Sequence, residues 1–327
     1  MIKFYESHFE DYIVANQALD LHPKLDKVFE KFPETLCKLR NFILYGPSGV
    51  GKYTQMLKAI KKYSPTELKY EKKLQVTYNK QQYNFKISDI HYEIDMAILG
   101  CNSKLLWHDI YQQIVDSISA KPDKTGIIVC KNFHEIHNEL LETMYSYMQE
   151  NNPSIMNIKY ILLTEQVSFI PDNIINCYEI ISVPRPTKIS YTKCSKSLCQ
   201  DIKPEQITNI KLIHTNNNTN NNIIDNLSHP YKIICDKIIK EMLSDEDIKF
   251  VRFRDLLYDI FIYNLDINDC IWYILTNLIN SSSNVTNNMS EILIKTYNFL
   301  QYYNNNYRPI YHLESYLLYL VKVINGY

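Results

Sequence analysis

The sharpest chemistry in this chain lies in seven consecutive residues, Gly46, Pro47, Ser48, Gly49, Val50, Gly51 and Lys52, which fill the first seven positions of the pattern G-x-x-x-x-G-K. Glycines at those spacings let the backbone curl so that amide N–H groups face inward, and a helix starting behind the loop adds partial positive charge. A loop of this kind cradles the phosphates of a nucleotide, with Lys52 reaching the β- and γ-phosphates. The eighth position ordinarily carries Ser or Thr to ligate Mg²⁺. Here it is Tyr53, a poor ligand too bulky for that slot, and Thr54 comes one residue late. Residues 46–54 are therefore expected to bind ATP or ADP, with Mg²⁺ lacking its usual ligand.

Hydrolysis at such a loop also needs carboxylates at the end of a neighbouring strand, one to support the ion and one to polarise the attacking water. Residues 126–130 read as that strand, and it runs out into Lys131 and Asn132. A lysine cannot bind Mg²⁺ and an amide cannot act as a base. Glu135 and Glu139 lie further on, on the following helix, where solvated charge is the ordinary role. His134 and His137 form an i, i+3 pair with no third ligand in view and read as surface histidines. The eight cysteines are scattered, as reduced thiols of an intracellular protein are; only Cys194 and Cys199 lie close, and a lone C-x4-C is a weak zinc signal. Neither a catalytic residue nor a metal ligand is assigned.

The elements that must position the loop follow from the apolar pattern. Residues 41–45 form a short apolar run that reads as a buried parallel strand, and residues 54–63 have helical character. Residues 74–87 suggest a hairpin around 79–82, and 91–96 a further strand. Residues 103–120 place Leu105, Leu106, Ile110, Ile114 and Ile118 at helical spacing. A helix follows over about 135–150, then strands over 159–164 and 178–183, the last ended by Pro184 and Pro186. Alternating strands and helices predict an α/β parallel sheet. Beyond it a polar segment leads to an asparagine tract at 215–222, read as a tolerated loop. From about residue 227 the chain is helix-compatible throughout, with breaks at 281–283 and 304–309. The expected organisation is an α/β phosphate-loop domain over residues 1–184, a small divergent segment over 185–226 and an all-α domain over 227–327.

The bulk numbers constrain the function further. With 35 Lys+Arg against 36 Asp+Glu the net charge is -1, which is not the footprint of a protein that binds nucleic acid alone. No apolar run is long enough to span a bilayer, and the first residues lack the apolar segment of a signal peptide, so an intracellular protein (nuclear or cytoplasmic) with no membrane partner is expected. Heavy use of Asn, Ile, Lys and Tyr reads as an AT-rich genome, and together with the altered motifs it would suit a large DNA virus.

These residues resemble a family. Residues 46–54, G-P-S-G-V-G-K-Y-T, are similar to the phosphate loop of one branch of sliding-clamp loader small subunits, the replication factor C type of AAA+ protein, whose loop ends G-K-K-T and also displaces the threonine by one position. Residues 9–16, F-E-D-Y-I-V-A-N, resemble the segment that borders the adenine. Residues 83–95, with Ile87, Ser88 and Asp89, resemble the branch's strand pair. T-M-Y-S-Y-M at 143–148 resembles the T-M-x-x-Y-M end of the helix after the acid-bearing strand. Ile170, Pro171 and the V-P-R-P at 183–186 resemble the last strand and the start of the lid. Near the end, I-Y-H-L-E-S-Y at 310–316 resembles the final-helix motif I-Y-H-L-E-A-F. Guanylate kinases also carry G-P-S-G-V-G-K, but they do not explain the long helical C-terminal region.

The resemblance implies a RecA-like AAA+ domain, a small helical lid over 185–226 and a helical collar. It implies five such subunits in a ring that opens a sliding clamp and places it on primer–template DNA. The partners implied are other clamp-loader subunits through the collar, the clamp, and DNA held by the complex as a whole. The departures are as informative. Where the family's S-R-C motif supplies an arginine finger, residues 174–177 here read I-I-N-C, with Asn176 at the arginine position. The sensor position that is normally Asn falls near Thr164 and Glu165. These changes argue for a structural, nucleotide-binding subunit deficient in hydrolysis. The alternative is an active phosphate-loop ATPase with rearranged acids, or a nucleotide kinase.

Overall fold

A computed structural model describes residues 8–100, 103–149, 156–187, 189, 190, 193, 230–244, 249–263, 265–281, 283–303 and 308–326. The chain divides into two compact units, Met1–Asn217 and Asn218–Tyr327.

The first unit is built on a seven-stranded sheet. Its strands are β1 (Phe42–Tyr45), β2 (Lys72–Tyr78), β3 (Gln81–Ile87), β4 (His91–Asp95), β5 (Thr125–Lys131), β6 (Asn157–Thr164) and β7 (Glu179–Ser182), in the spatial order β2-β3-β4-β5-β6-β1-β7. From β4 to β7 every neighbouring pair is parallel; β2 and β3 form an antiparallel hairpin turned at Asn79 and Lys80, both at positive φ. The central strands are apolar on both faces because helices cover both. Ile127, Ile128, Val129 and Cys130 of β5 are fully buried.

The helices of this unit are α1 (Phe9–Ala18), α2 (Asp26–Phe29), α3 (Lys52–Lys61), α4 (Met96–Leu99), α5 (Ser103–Ser119), α6 (Asn138–Gln149) and α7 (Asp172–Ile175). Helix α3 begins on Lys52 itself, two residues earlier than its apolar periodicity indicates, because the glycine loop caps it. Helix α5 buries Leu106, Trp107, Ile110, Tyr111, Ile114 and Ile118, whereas Leu105 points outward, so the expected apolar stripe is corrected by one position. The helix expected from 135 begins at Asn138, after a single 3-10 turn at Phe133–Glu135.

Among its described residues the second unit is helical: α8 (Pro230–Met242), α9 (Phe250–Ile262), α10 (Ile267–Ser281), α11 (Ser283–Asn287), α12 (Met289–Tyr303) and α13 (Pro309–Ile324). The breaks expected at 281–283 and 304–309 fall between α10 and α11 and between α12 and α13. Its core draws on every helix, with Ile238, Phe253, Leu257, Ile274, Leu278 and Leu317 fully enclosed. The small segment expected over 185–226, with its asparagine tract and Cys194 and Cys199, lies largely outside the described residues. Among the described residues no helix is long and apolar enough to cross a membrane.

Candidate functional site

The parallel strands β4, β5, β6 and β1 end level with one another: Asp95 pairs in register with Lys131, and Tyr45 with Thr164. The carboxyl edge of an open parallel sheet is where α/β folds hold ligands. The glycine loop leaves β1 on that edge. The Gly46 N–H donates to the Thr164 carbonyl at 3.3 Å, fastening the loop to β6. A Cβ on residue 46 would lie 2.1 Å from the Val183 carbonyl oxygen, so only glycine fits there. Gly51 has φ of 96°, in the left-handed region, and turns the chain into α3. The loop is held from outside as well: the buried His22 ring donates from Nε2 to the Val50 carbonyl at 2.7 Å.

Lys52 lies across the loop it belongs to. Its ammonium donates to the Gly46 carbonyl at 2.7 Å and to the Pro47 carbonyl at 2.8 Å, and Glu165 Oε1 stands 3.9 Å away. A phosphate entering the loop competes with these oxygens for the same ammonium. Ser48 is exposed at the loop's crown and Gly49 has φ of 66°. Thr54 is half-buried on α3; one residue past Tyr53, it is turned about 100° around the helix axis.

Tyr53 does not face the loop as a metal ligand would. Its hydroxyl donates to Glu93 Oε1 at 2.7 Å, and its ring packs edge-on against Tyr12. Glu93 lies in the middle of β4, with its side chain only 1% exposed. His91 Nε2 is 3.3 Å from Oε1, and the Lys131 ammonium is 3.1 Å from Oε2 and 5.5 Å from the centre of the Tyr53 ring. Burial alone would push this carboxyl's pKa up. The His91 hydrogen bond, the Lys131 charge and the Tyr53 hydroxyl together outweigh it, so Glu93 is held below the ordinary carboxylate value and stays ionised. The same burial and the same carboxylate push the Tyr53 phenol up, so it remains a neutral donor.

This arrangement does not accommodate Mg²⁺ in the usual manner. The residue at the ligand position spends its hydroxyl on Glu93, Glu93 is sealed behind Tyr53 and Lys131, and the ammonium of Lys131 would repel a divalent ion. Among the described residues no group of three or more His, Cys, Asp or Glu is placed to hold a metal ion.

Two further carboxylates reach this edge: Asp95, which sequence reasoning missed as it missed Glu93, and Glu165, which it placed only near the sensor position. Asp95, at the end of β4, accepts from Asn132 Nδ2 at 2.9 Å and caps α4 through the Ala97 N–H. Glu165 follows β6 and faces Lys52. The signal for Glu93 was present: a charged residue inside H-Y-E-I-D, a strand that is otherwise buried. His134 is no surface histidine, which corrects the expectation: it is half-buried, and its Nδ1 accepts the Glu165 N–H at 3.4 Å. His137 has a buried Nδ1 with no hydrogen-bond partner. Asn176, where the family resemblance places an arginine, sits after α7 at the opposite edge of the sheet. There it lines an opening of about 690 Å³ with Lys38, Arg40 and Lys159.

No protein-family model matches this sequence, and no curated protein matches it. Among solved structures, the RuvB Holliday junction branch migration motor of Thermotoga maritima is similar at a TM-score of 0.34 and 14% identity, over 58% of this chain and 52% of that one. RIF2 of Saccharomyces cerevisiae is similar at a TM-score of 0.36 and 14% identity, over 63% of this chain and 71% of that one. The chain thus spans about half the length of the RuvB chain it matches.

Proposed function

We propose that this chain is a nucleotide-holding, hydrolysis-deficient AAA+ subunit of the sliding-clamp loader type. The observation that carries this reading is the contrast within one site. The loop of residues 46–52 is intact and properly seated between a buried strand and a helix. The two positions beside it that would handle the metal and the water are Tyr53 and Lys131, both turned onto a buried glutamate. Such a site can grip ATP or ADP through Lys52, the loop amides and the start of α3. It lacks the arrangement that hydrolysis ordinarily uses.

The clamp-loader assignment rests on the sequence motifs, at the loop and at residues 310–316 in α13. In this reading other clamp-loader subunits pack against the helical unit, and the clamp and primer–template DNA are met by the assembled ring. Exposed apolar residues of the helical unit support such packing, among them Trp272 (48% exposed), Tyr258, Ile262, Ile294 and Tyr297.

A second reading, an ATPase with rearranged acids, is favoured by one observation: Asp95 and Glu165 bring carboxylates to the strand ends on either side of Lys131 and Lys52. Equilibrium binding of labelled ATP and ADP, with Lys52→Ala as control and single-turnover hydrolysis in parallel, separates the two. The proposal expects binding that Lys52→Ala weakens by about tenfold or more, with no hydrolysis. Hydrolysis by the lone chain, abolished in Lys52→Ala and in Glu165→Gln, would establish the second reading instead.

A further inference from the structure

We infer that the loop holds its nucleotide without a divalent cation, the Lys131 ammonium serving as the fixed positive charge in that place. The inference deepens the nucleotide-holding reading and rests on it.

A polyphosphate in a glycine loop needs more positive charge than one lysine and a helix terminus supply, and Mg²⁺ ordinarily makes up the difference. Here the strand β5 that would bring an acid for the ion brings Lys131. The lysine is held there. Glu93 stands behind it at 3.1 Å, and Tyr53, the residue directly after Lys52, places its ring 5.5 Å from the ammonium. The pair of Glu93 and Lys131 is lopsided: the carboxylate side chain is 1% exposed and the lysine side chain 28% exposed. What the pair turns outward is its positive end. The contact is also an ion pair without an aligned hydrogen bond, since Glu93 Oε2 has no hydrogen-bond partner. Glu93 can engage at most one of the ammonium's three N–H donors, and the others suit phosphate oxygens.

The hydroxyl that a metal site would need is committed as well. Tyr53 donates to Glu93 Oε1, and freeing it would leave a buried carboxylate short of a partner. Lys131 and Tyr53 thus act as one substitution: the first supplies the charge, and the second closes the metal position and buttresses the acid that holds that charge.

The test is a calorimetric titration of the full chain with ADP and with ATP, in EDTA and again in excess MgCl₂. The expected result is equal affinity in the two media, or tighter binding in EDTA, because Mg²⁺ lowers the charge of the nucleotide that Lys131 attracts. Lys131→Met is expected to weaken binding in EDTA by about tenfold, with Lys131→Arg keeping most of it. Mg²⁺ tightening the wild-type complex by about tenfold or more would overturn the inference while leaving nucleotide holding intact. So would a folded Lys131→Met that binds like wild type. Should Lys131→Met fail to fold, the wild-type comparison decides alone. Absence of binding in both media would overturn this inference and the function it rests on together.

Discussion

The two units bury polarity in opposite ways. In the sheet unit, charged and polar groups converge at the carboxyl edge: Lys52 with Glu165, and Tyr53, His91 and Lys131 all on Glu93. In the helical unit the core is mostly apolar, its polar groups paired off two by two: Thr296 Oγ1 with the Tyr316 hydroxyl at 2.7 Å, and the buried acid Glu314 gripped at both oxygens by Arg254 at 3.0 Å. A lone paired charge fixes how two helices meet. A cluster that shares one carboxylate among three partners holds a set of side chains in a common arrangement, as a binding site requires. Among the described residues the helical unit also exposes more large apolar side chains than the sheet unit does, Val251, Ile262 and Tyr263 among them.

Replacing the shared acid should break this contrast most severely. Glu93→Ala strips Lys131, Tyr53 and His91 of their common partner, and is expected to cost the sheet unit about 4 kcal/mol, read by chemical denaturation. The helical unit should be unaffected. The sign with pH follows. The folded pKa of Glu93 lies below its ordinary 4.5, so its contribution is complete above that value and lost as pH falls through the folded pKa. The acid limb of stability should therefore be shallower in Glu93→Gln, whose amide does not titrate.

The converse lesion is Leu317→Ala in α13, where the side chain is fully buried. A cavity there should cost the helical unit about 3 kcal/mol and leave nucleotide affinity unchanged. A loss of affinity would show that the units do not keep their roles separate. Smallest is Glu165→Gln, which removes the carboxylate that competes with phosphate for Lys52. It should tighten ADP binding about threefold at low ionic strength, with the gain shrinking as salt is added.

The glycine loop was legible because its chemistry is local: an apolar strand, glycines where the backbone must turn back, a lysine and a helix all lie within twenty residues of chain. The departures at Tyr53 and Lys131 were legible for the same reason. What they do was not. Tyr53 and Glu93 are forty residues apart, and a buried polar contact leaves no periodic trace, so the site read as missing its machinery when it had been rebuilt around an acid from another strand. Lys131 read only as an obstacle to magnesium because the carboxylate that anchors it could not be placed. Helix α1 escaped for a different reason. Its apolar residues do not gather on one face, and it is held by side-chain contacts to α3, with Gln55 Nε2 donating to Asn16 and Tyr12 set edge-on against Tyr53. The turn at Asn132, in the left-handed region at φ of 49°, likewise leaves no mark except the residue type that tolerates it.

A Cβ at residue 46 would stand 2.1 Å from the Val183 carbonyl oxygen, so the first residue of the loop and the residue after β7 lie backbone against backbone. Val183 is the last residue before the chain departs at Pro184. With no slack between the two backbones, the loop cannot shift toward β7 unless Val183 shifts with it. A movement of residue 46 toward β7 would therefore press first on Val183, backbone against backbone, with no side chain between them.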